Sequence, residues 1–188
     1  MKSYYLAALS CITALVIAWY AWPFPRLDVS TVPARTELQG YDRDEFGGWQ
    51  PNGACTTREA IMENQASEAF ADCRPQSGTL YDPYAGEMIS ATSPIEVDHI
   101  FPLSAAFDMG AAQWDQDTKI RFANDPLNLV ATSRKLNQEK SDSLPSEWLP
   151  PANRCDYSRR LAEIARKYEL PLPRADVRAM RRQCRFDF

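Results

Sequence analysis

His99 is the single histidine among the 188 residues of this chain, and its surroundings constrain the fold more than any other feature. It lies near the end of a short β-branched run, Ile95-Glu96-Val97-Asp98-His99-Ile100, directly after an aspartate. Such a run reads as one strand that stops at the Asp-His pair. A second apolar strand is expected over Leu127 to Ala131, after the polar break Asn124-Asp125-Pro126. Thr132 or Ser133 then caps a helix that carries Asn137 and Lys140. These two residues are three apart and share a helix face. The expected core, residues 95–143, is therefore strand, strand, helix.

The residue types in this core fit one kind of chemistry. A histidine has an unperturbed pKa near 6.5 and can act as a general base close to neutral pH. Asp98 offers a hard anionic oxygen and Asn137 a neutral carbonyl oxygen. A site with few protein oxygens, completed by waters and a phosphate oxygen, suits a Mg²⁺-type ion. With one histidine, neither a His-rich zinc or nickel site nor a His-Glu-x-x-His motif can be built, and no Gly-x-Ser-x-Gly occurs. One difficulty is geometric. Adjacent strand residues point to opposite faces, so Asp98 and His99 serve one site only if a substrate passes between them or the strand bends. Each residue also has a plain structural reading: His99 as a structural histidine, Asp98 as a strand-end cap, Asn128 as a turn residue, Asn137 as a solvated helix residue.

The pattern Asp98-His99-Ile100-x-Pro102, then Asn128 opening the second strand, then Asn137-x-x-Lys140 on the helix, resembles the HNH nuclease family with its ββα-metal fold. Asn137 stands where the last, name-giving histidine would be. The flanks are similar to a secreted, single-domain branch of that family: Tyr41-Asp42-Arg43-Asp44, Phe46-Gly47, Trp49, Cys55 to Ala60, Phe122 to Leu129 and Glu147 to Pro151. The resemblance spans roughly Tyr41 to Cys184. It implies an α+β fold with a ββα-metal core and added helices. It implies His99 as general base, with Asp98 and Asn137 holding one divalent ion, Mg²⁺ first and Mn²⁺ second. The scissile phosphate would sit between metal and histidine, which resolves the two-faces difficulty. Asn128 would hydrogen-bond the motif loop and orient His99. Lys140 would contact the phosphate or fix the helix, and Glu96 would support His99 or Asp98 from behind. The implied activity is hydrolysis of DNA, with RNA as second substrate, leaving 5′-phosphate and 3′-hydroxyl ends. The rival reading is a non-catalytic, extracellular nucleic-acid-binding module on the same fold. It predicts loss of motif residues, and Asp98, His99 and Asn137 are all present. A disulfide-held structural domain would leave the Asp-His pair unexplained.

Length and cysteines complete the reading. A chain of this size fits a leader plus one domain. Residues 1–25 are expected as a signal peptide or membrane anchor: Lys2 precedes an uncharged run from Tyr4 to Phe24, about the length of a membrane span. The aromatics Trp19, Tyr20, Trp22 and Phe24 crowd the position of a cleavage site and would suit a membrane interface. Either reading exports the rest of the chain, and the segment would contact the membrane if uncleaved. Residues 26–40 are expected as a Pro-containing linker and 41–188 as the nuclease domain. Cys11 lies in the leader. Cys55, Cys73, Cys155 and Cys184 have no C-x-x-C spacing and, after an export signal, read as two disulfides with three connectivities open. The family resemblance favours Cys55–Cys73 and Cys155–Cys184.

The net charge of −4 is awkward for a nucleic-acid partner, but it is unevenly spread. Leu27 to Pro150 holds 9 basic against 20 acidic residues, whereas Pro151 to Phe188 holds 10 against 5. The candidate phosphate contacts are therefore Arg159, Arg160, Arg181 and Arg182 of the basic C-terminal part, together with Arg134. The alternative for these arginines is a solvated helix face. Arg58 and Asp42-Arg43-Asp44 are expected as structural ion pairs. No protein partner is implied.

Overall fold

The computed structural model describes residues 4–5, 9–14 and 28–184. The leader expected over residues 1–25 thus falls largely outside the described residues. Among the described residues no helix is long and apolar enough to cross a membrane.

The chain forms strands β1 (Thr31–Val32), β2 (Pro51–Asn52) and β3 (Cys55–Thr56), then helix α1 (Thr57–Gln65). The hairpin β4 (Thr79–Asp82) and β5 (Glu87–Ser90) precedes β6 (Ile95–His99). Helices α2 (Leu103–Asp108) and α3 (Gln116–Ala123) intervene before β7 (Leu129–Ser133) and α4 (Arg134–Lys140). Helix α5 (Arg154–Lys167), strand β8 (Leu172–Pro173) and helix α6 (Arg174–Gln183) follow. The fold is mixed α and β with two disulfides, Cys55–Cys73 and Cys155–Cys184. Each bridge stabilises such a fold by roughly 2–4 kcal/mol.

The centre of the molecule is the antiparallel pair β6–β7, in register from Ile95↔Ser133 to His99↔Leu129. Its side chains alternate with period two, and two apolar cores result. Ile95, Val97, Leu129 and Ala131 pack with Ile61 and Met62 of α1 and with Leu80 of β4. Val130 faces the larger core, built from Phe46, Phe101, Phe122, Leu161, Ile164 and Met180 among others. Each fully buried side chain of this size contributes about 1.5–3 kcal/mol. The outer edge of β7 is covered by a side chain rather than a strand. The Gln65 amide accepts from Ala131 N and donates to Ala131 O, both at 2.8 Å, and satisfies an edge that would otherwise stay open. Buried Asp82 ties the β4–β5 turn to β7: it accepts from Tyr84 N, Thr132 Oγ1 and Ser133 N at 2.8–2.9 Å.

Element boundaries have local reasons, and β7 starts at Leu129 where the sequence suggested Leu127. Helix α1 ends at Gln65 because Ala66 turns extended and bridges Leu80. Helix α3 starts at Gln116, since Asp115 caps it by accepting from Thr118 N at 2.6 Å. Strand β7 begins at Leu129 because Pro126–Asn128 forms a 3₁₀ turn capped by Asp125. The segment expected as a linker is docked over its described part. Strand β1 pairs in parallel with β8. Arg35 forms ion pairs with Asp108 at 2.6 Å and Asp142 at 3.0 Å, joining α2 to the loop after α4.

Candidate active site

The site is built from both faces of β6. On one face, Glu96 and Asp98 look toward α4. The Asn137 Nδ2 donates to Glu96 Oε2 at 2.7 Å, and the Lys140 ammonium lies 2.9 Å from Asp98 Oδ2. A carboxylate only accepts, so the Asn137 amide nitrogen must face Glu96, leaving Oδ1 as the free acceptor. Glu96 also pairs with Arg134 at 3.0 Å. Its partners are therefore Asn137 and Arg134, where the sequence suggested His99 or Asp98, because alternation sends Glu96 toward the helix.

Asp98 is buried and receives two donors, Lys140 and the Tyr84 hydroxyl at 2.6 Å. Burial pushes its carboxyl above the ordinary value, against the opposing pull of the Lys140 ammonium and the Tyr84 hydroxyl. Lys140 is fully buried and also donates to His99 O at 2.9 Å. It fixes the helix and the strand end and is closed to a phosphate. An unpaired ammonium could not stay there, so the pair with Asp98 is part of the architecture.

On the opposite face, His99 lies parallel to Trp49, with ring centroids 5.6 Å apart and planes 3° apart. Its Nε2 is 2.8 Å from Ala123 O. A carbonyl only accepts, so Nε2 carries the proton and Nδ1 is the nitrogen with a free lone pair. Burial, opposed by the Ala123 carbonyl and reinforced by the charges of Arg43 and Lys140, pushes the imidazole pKa down to about 3. Asn128 is fully buried and clamps the motif loop: its Oδ1 accepts from Phe101 N at 2.8 Å and its Nδ2 donates to Phe101 O at 3.3 Å.

Two open cavities meet at His99. The larger, about 590 Å³, is lined by Asp98, His99, Asn137, Tyr41, Arg43 and Asp142 among others. The smaller, about 340 Å³, lies between His99, Trp49, Arg43, Asp44 and the Gly47-Gly48 backbone. His99 therefore opens to both, and the strand face that carries Asp98 shares the larger one with it. Among the described residues no three His, Cys, Asp or Glu side chains converge as a metal centre. The oxygens that Asp98 and Asn137 bring to the larger cavity are one carboxylate and one amide. That hard, sparse donor set fits an ion that keeps most of its waters.

The match that decides the family covers this whole motif. Residues 57–171 match the family model described as GmrSD restriction endonucleases, C-terminal domain. The chain belongs to that family. A relative from Arthroderma benhamiae, described as an uncharacterized secreted protein, is 33% identical over 202 residues, covering 96% of this chain and 97% of the relative. No solved structure matches. The range shared with the GmrSD C-terminal domain includes Glu96, Asp98, His99, Asn128, Asn137 and Lys140, and it begins after Tyr41, Arg43 and Trp49.

The arginines expected to hold phosphate do not line either cavity. Arg160 donates to the carbonyls of Pro126, Leu127 and Leu129 at 2.6–2.7 Å, bracing the turn that carries Asn128. Arg159, Arg181 and Arg182 are exposed on α5 and α6. Three cavity or network residues were not singled out from sequence as site residues: Trp49, Tyr84 and Arg43. Arg43, expected in a structural ion pair, is exposed and makes no ion pair or hydrogen bond among the described residues. Its neighbour Asp42 instead caps the 3₁₀ turn by accepting from Asp44 N at 2.9 Å.

Proposed function

We propose that this GmrSD C-terminal-domain chain is an exported, metal-dependent endonuclease of the HNH type that hydrolyses phosphodiester bonds of DNA, with RNA as second substrate. The observation that carries this reading is the His99 imidazole. Its Nε2 is committed to Ala123 O, its Nδ1 keeps a free lone pair, and it shares a cavity with Asp98 and Asn137. Membership of a family named for restriction endonucleases supports it. The order of strand pair β6–β7 followed by α4 supports a ββα-metal reading, in which Asn137 would take the place of the last histidine.

The chain's residues have distinct tasks. His99 Nδ1 takes a proton from a water, whose oxygen attacks phosphorus as the bond to the 3′ oxygen breaks. The 3′ oxygen gains a proton from solvent, leaving 3′-hydroxyl and 5′-phosphate ends. Burial disfavours the imidazolium, so the ring is neutral near pH 7 and the Nδ1 lone pair is available. Asn128 holds the motif loop, Glu96 turns the Asn137 oxygen toward the cavity, and Lys140 with Tyr84 sets the Asp98 carboxylate. Asp98 and Asn137 would hold one divalent cation, Mg²⁺ or Mn²⁺, which when bound supplies neutralisation of the charge developing on the phosphate. Export is supported by the two disulfides and by the secreted relative. Within this reading residues 1–25 are the signal or anchor, and 41–188 the nuclease domain.

Purified oxidised protein and its His99→Ala variant are compared on plasmid DNA with and without Mg²⁺ or Mn²⁺. The expected result is metal-dependent nicking that falls by about 10²–10⁴-fold in the variant. DNA binding without cleavage by folded wild type would instead select the non-catalytic binding module.

A further inference from the structure

No cation of the strand–strand–helix motif lines either cavity at His99. Lys140 is buried beneath Asp98, and Arg134 is paired with Glu96 and lines neither of the two cavities. Arg43 is placed differently. Its side chain lines both cavities that meet at His99, and it is exposed and without a partner among the described residues.

The backbone under Arg43 is firmly anchored. It begins the 3₁₀ turn Arg43–Phe46 that Asp42 caps, and Gly47 N closes the turn on Asp44 O at 3.0 Å. Phe46 is fully buried, with its ring 6.4 Å from that of Phe122. Glu45 pairs with Lys119 at 2.5 Å, and its carbonyl accepts from the Gln116 amide at 2.7 Å. Gly47 takes a positive φ of 68°, and a Cβ there would stand 3.0 Å from Ile120, so the turn has little freedom to shift. A rigid turn thus carries an uncommitted guanidinium. A guanidinium offers a planar fork that matches two phosphate oxygens at once.

We infer that Arg43 is a catalytic residue that grips the non-bridging oxygens of the scissile phosphate, from a segment ahead of the range shared with the GmrSD C-terminal domain. This rests on the nuclease reading above. Held there, the guanidinium stabilises the charge that accumulates on those oxygens as water attacks, so its effect falls on the chemical step.

The test uses the full oxidised protein with Mg²⁺ as wild type, Arg43→Ala and Arg43→Lys. Two substrates are compared: plasmid DNA and thymidine 5′-(4-nitrophenyl phosphate), a minimal diester with no flanking phosphate. Arg43→Ala is expected to lower kcat/KM on both by about 10²-fold, and Arg43→Lys to recover only part, because an ammonium cannot fork. Melting temperatures should coincide, since the side chain has no partner to lose among the described residues. In metal-free protein, calorimetric binding of thymidine 3′,5′-bisphosphate should weaken at least about tenfold in Arg43→Ala. Equal kcat/KM for wild type and Arg43→Ala on the minimal diester overturns the assignment. In that case a loss confined to KM on plasmid at low salt would mean general attraction of a polyanion. Wild type inactive on both substrates sinks the nuclease reading itself, and this assignment with it.

Discussion

The cavity at His99 has two walls of opposite character. One is β6, β7 and α4, where Asp98, Asn128 and Lys140 are buried and each meets protein partners. The other is the segment from Tyr41 to Trp49, which presents an exposed Arg43, an exposed Tyr41 and a half-buried Trp49. The first wall, Asn137 Oδ1 and His99 Nδ1 apart, uses its polar groups on itself and therefore holds geometry. The second leaves groups uncommitted and therefore meets whatever enters. Position within a family motif is thus a poor guide to which cation contacts a ligand: Lys140 is in the motif and closed, while Arg43 is outside it and open.

Perturbing the two walls should separate these roles, the buried wall responding most. Lys140→Met leaves a buried carboxylate without its counter-ion, which costs about 3–5 kcal/mol. Chemical denaturation of the variant should show that loss, and a change under about 1 kcal/mol would mean that Asp98 does not depend on the pair. Asn128→Ala comes next. It strands the buried Phe101 N–H and should cost about 2 kcal/mol while loosening the loop beside His99. Thermal melts with cleavage assays check it, and full activity in a destabilised variant would confine Asn128 to folding.

The smallest effect is pH-dependent. Burial pushes the Asp125 carboxyl up, but the hydrogen bonds from Lys167, Tyr168 and Leu127 N outweigh it and hold it below its ordinary value. A depressed carboxylate adds stability that is complete above the unfolded value, about 3.9, and disappears as pH falls through the folded value. Asp125→Asn should therefore lose about 1 kcal/mol near neutrality, with the gap to wild type closing below about pH 4. A gap independent of pH would show that the hydrogen bonds, not the charge, do the holding.

Much of the fold was legible in the chain. The strand ending at His99, the second strand after Pro126 and the Ser133 cap all arise from local patterns. That Asp98, His99 and Asn137 line one cavity was foreshadowed by their spacing in the chain. Less legible were groups whose role depends on distant neighbours. Glu96 could not be assigned to Asn137 until the register of β6 against α4 was known. Arg160 was expected to contact phosphate and instead braces three carbonyls of a turn far away in sequence. The docked segment at β1 has two-residue strands, too short to carry any period.

By itself, the sequence determined the strand–strand–helix order, the identities of the chemical groups and the family, since periodicity, capping and residue type act over a few neighbours. Tertiary structure decided which nitrogen of His99 is free, which cation is buried and which is open. Those properties follow from what the chain packs against each group: the Ala123 carbonyl on the imidazole, Asp98 on Lys140, and, among the described residues, no partner on Arg43. Burial and hydrogen-bond partnership are set by contacts between segments far apart in the chain, and local pattern carries no record of them.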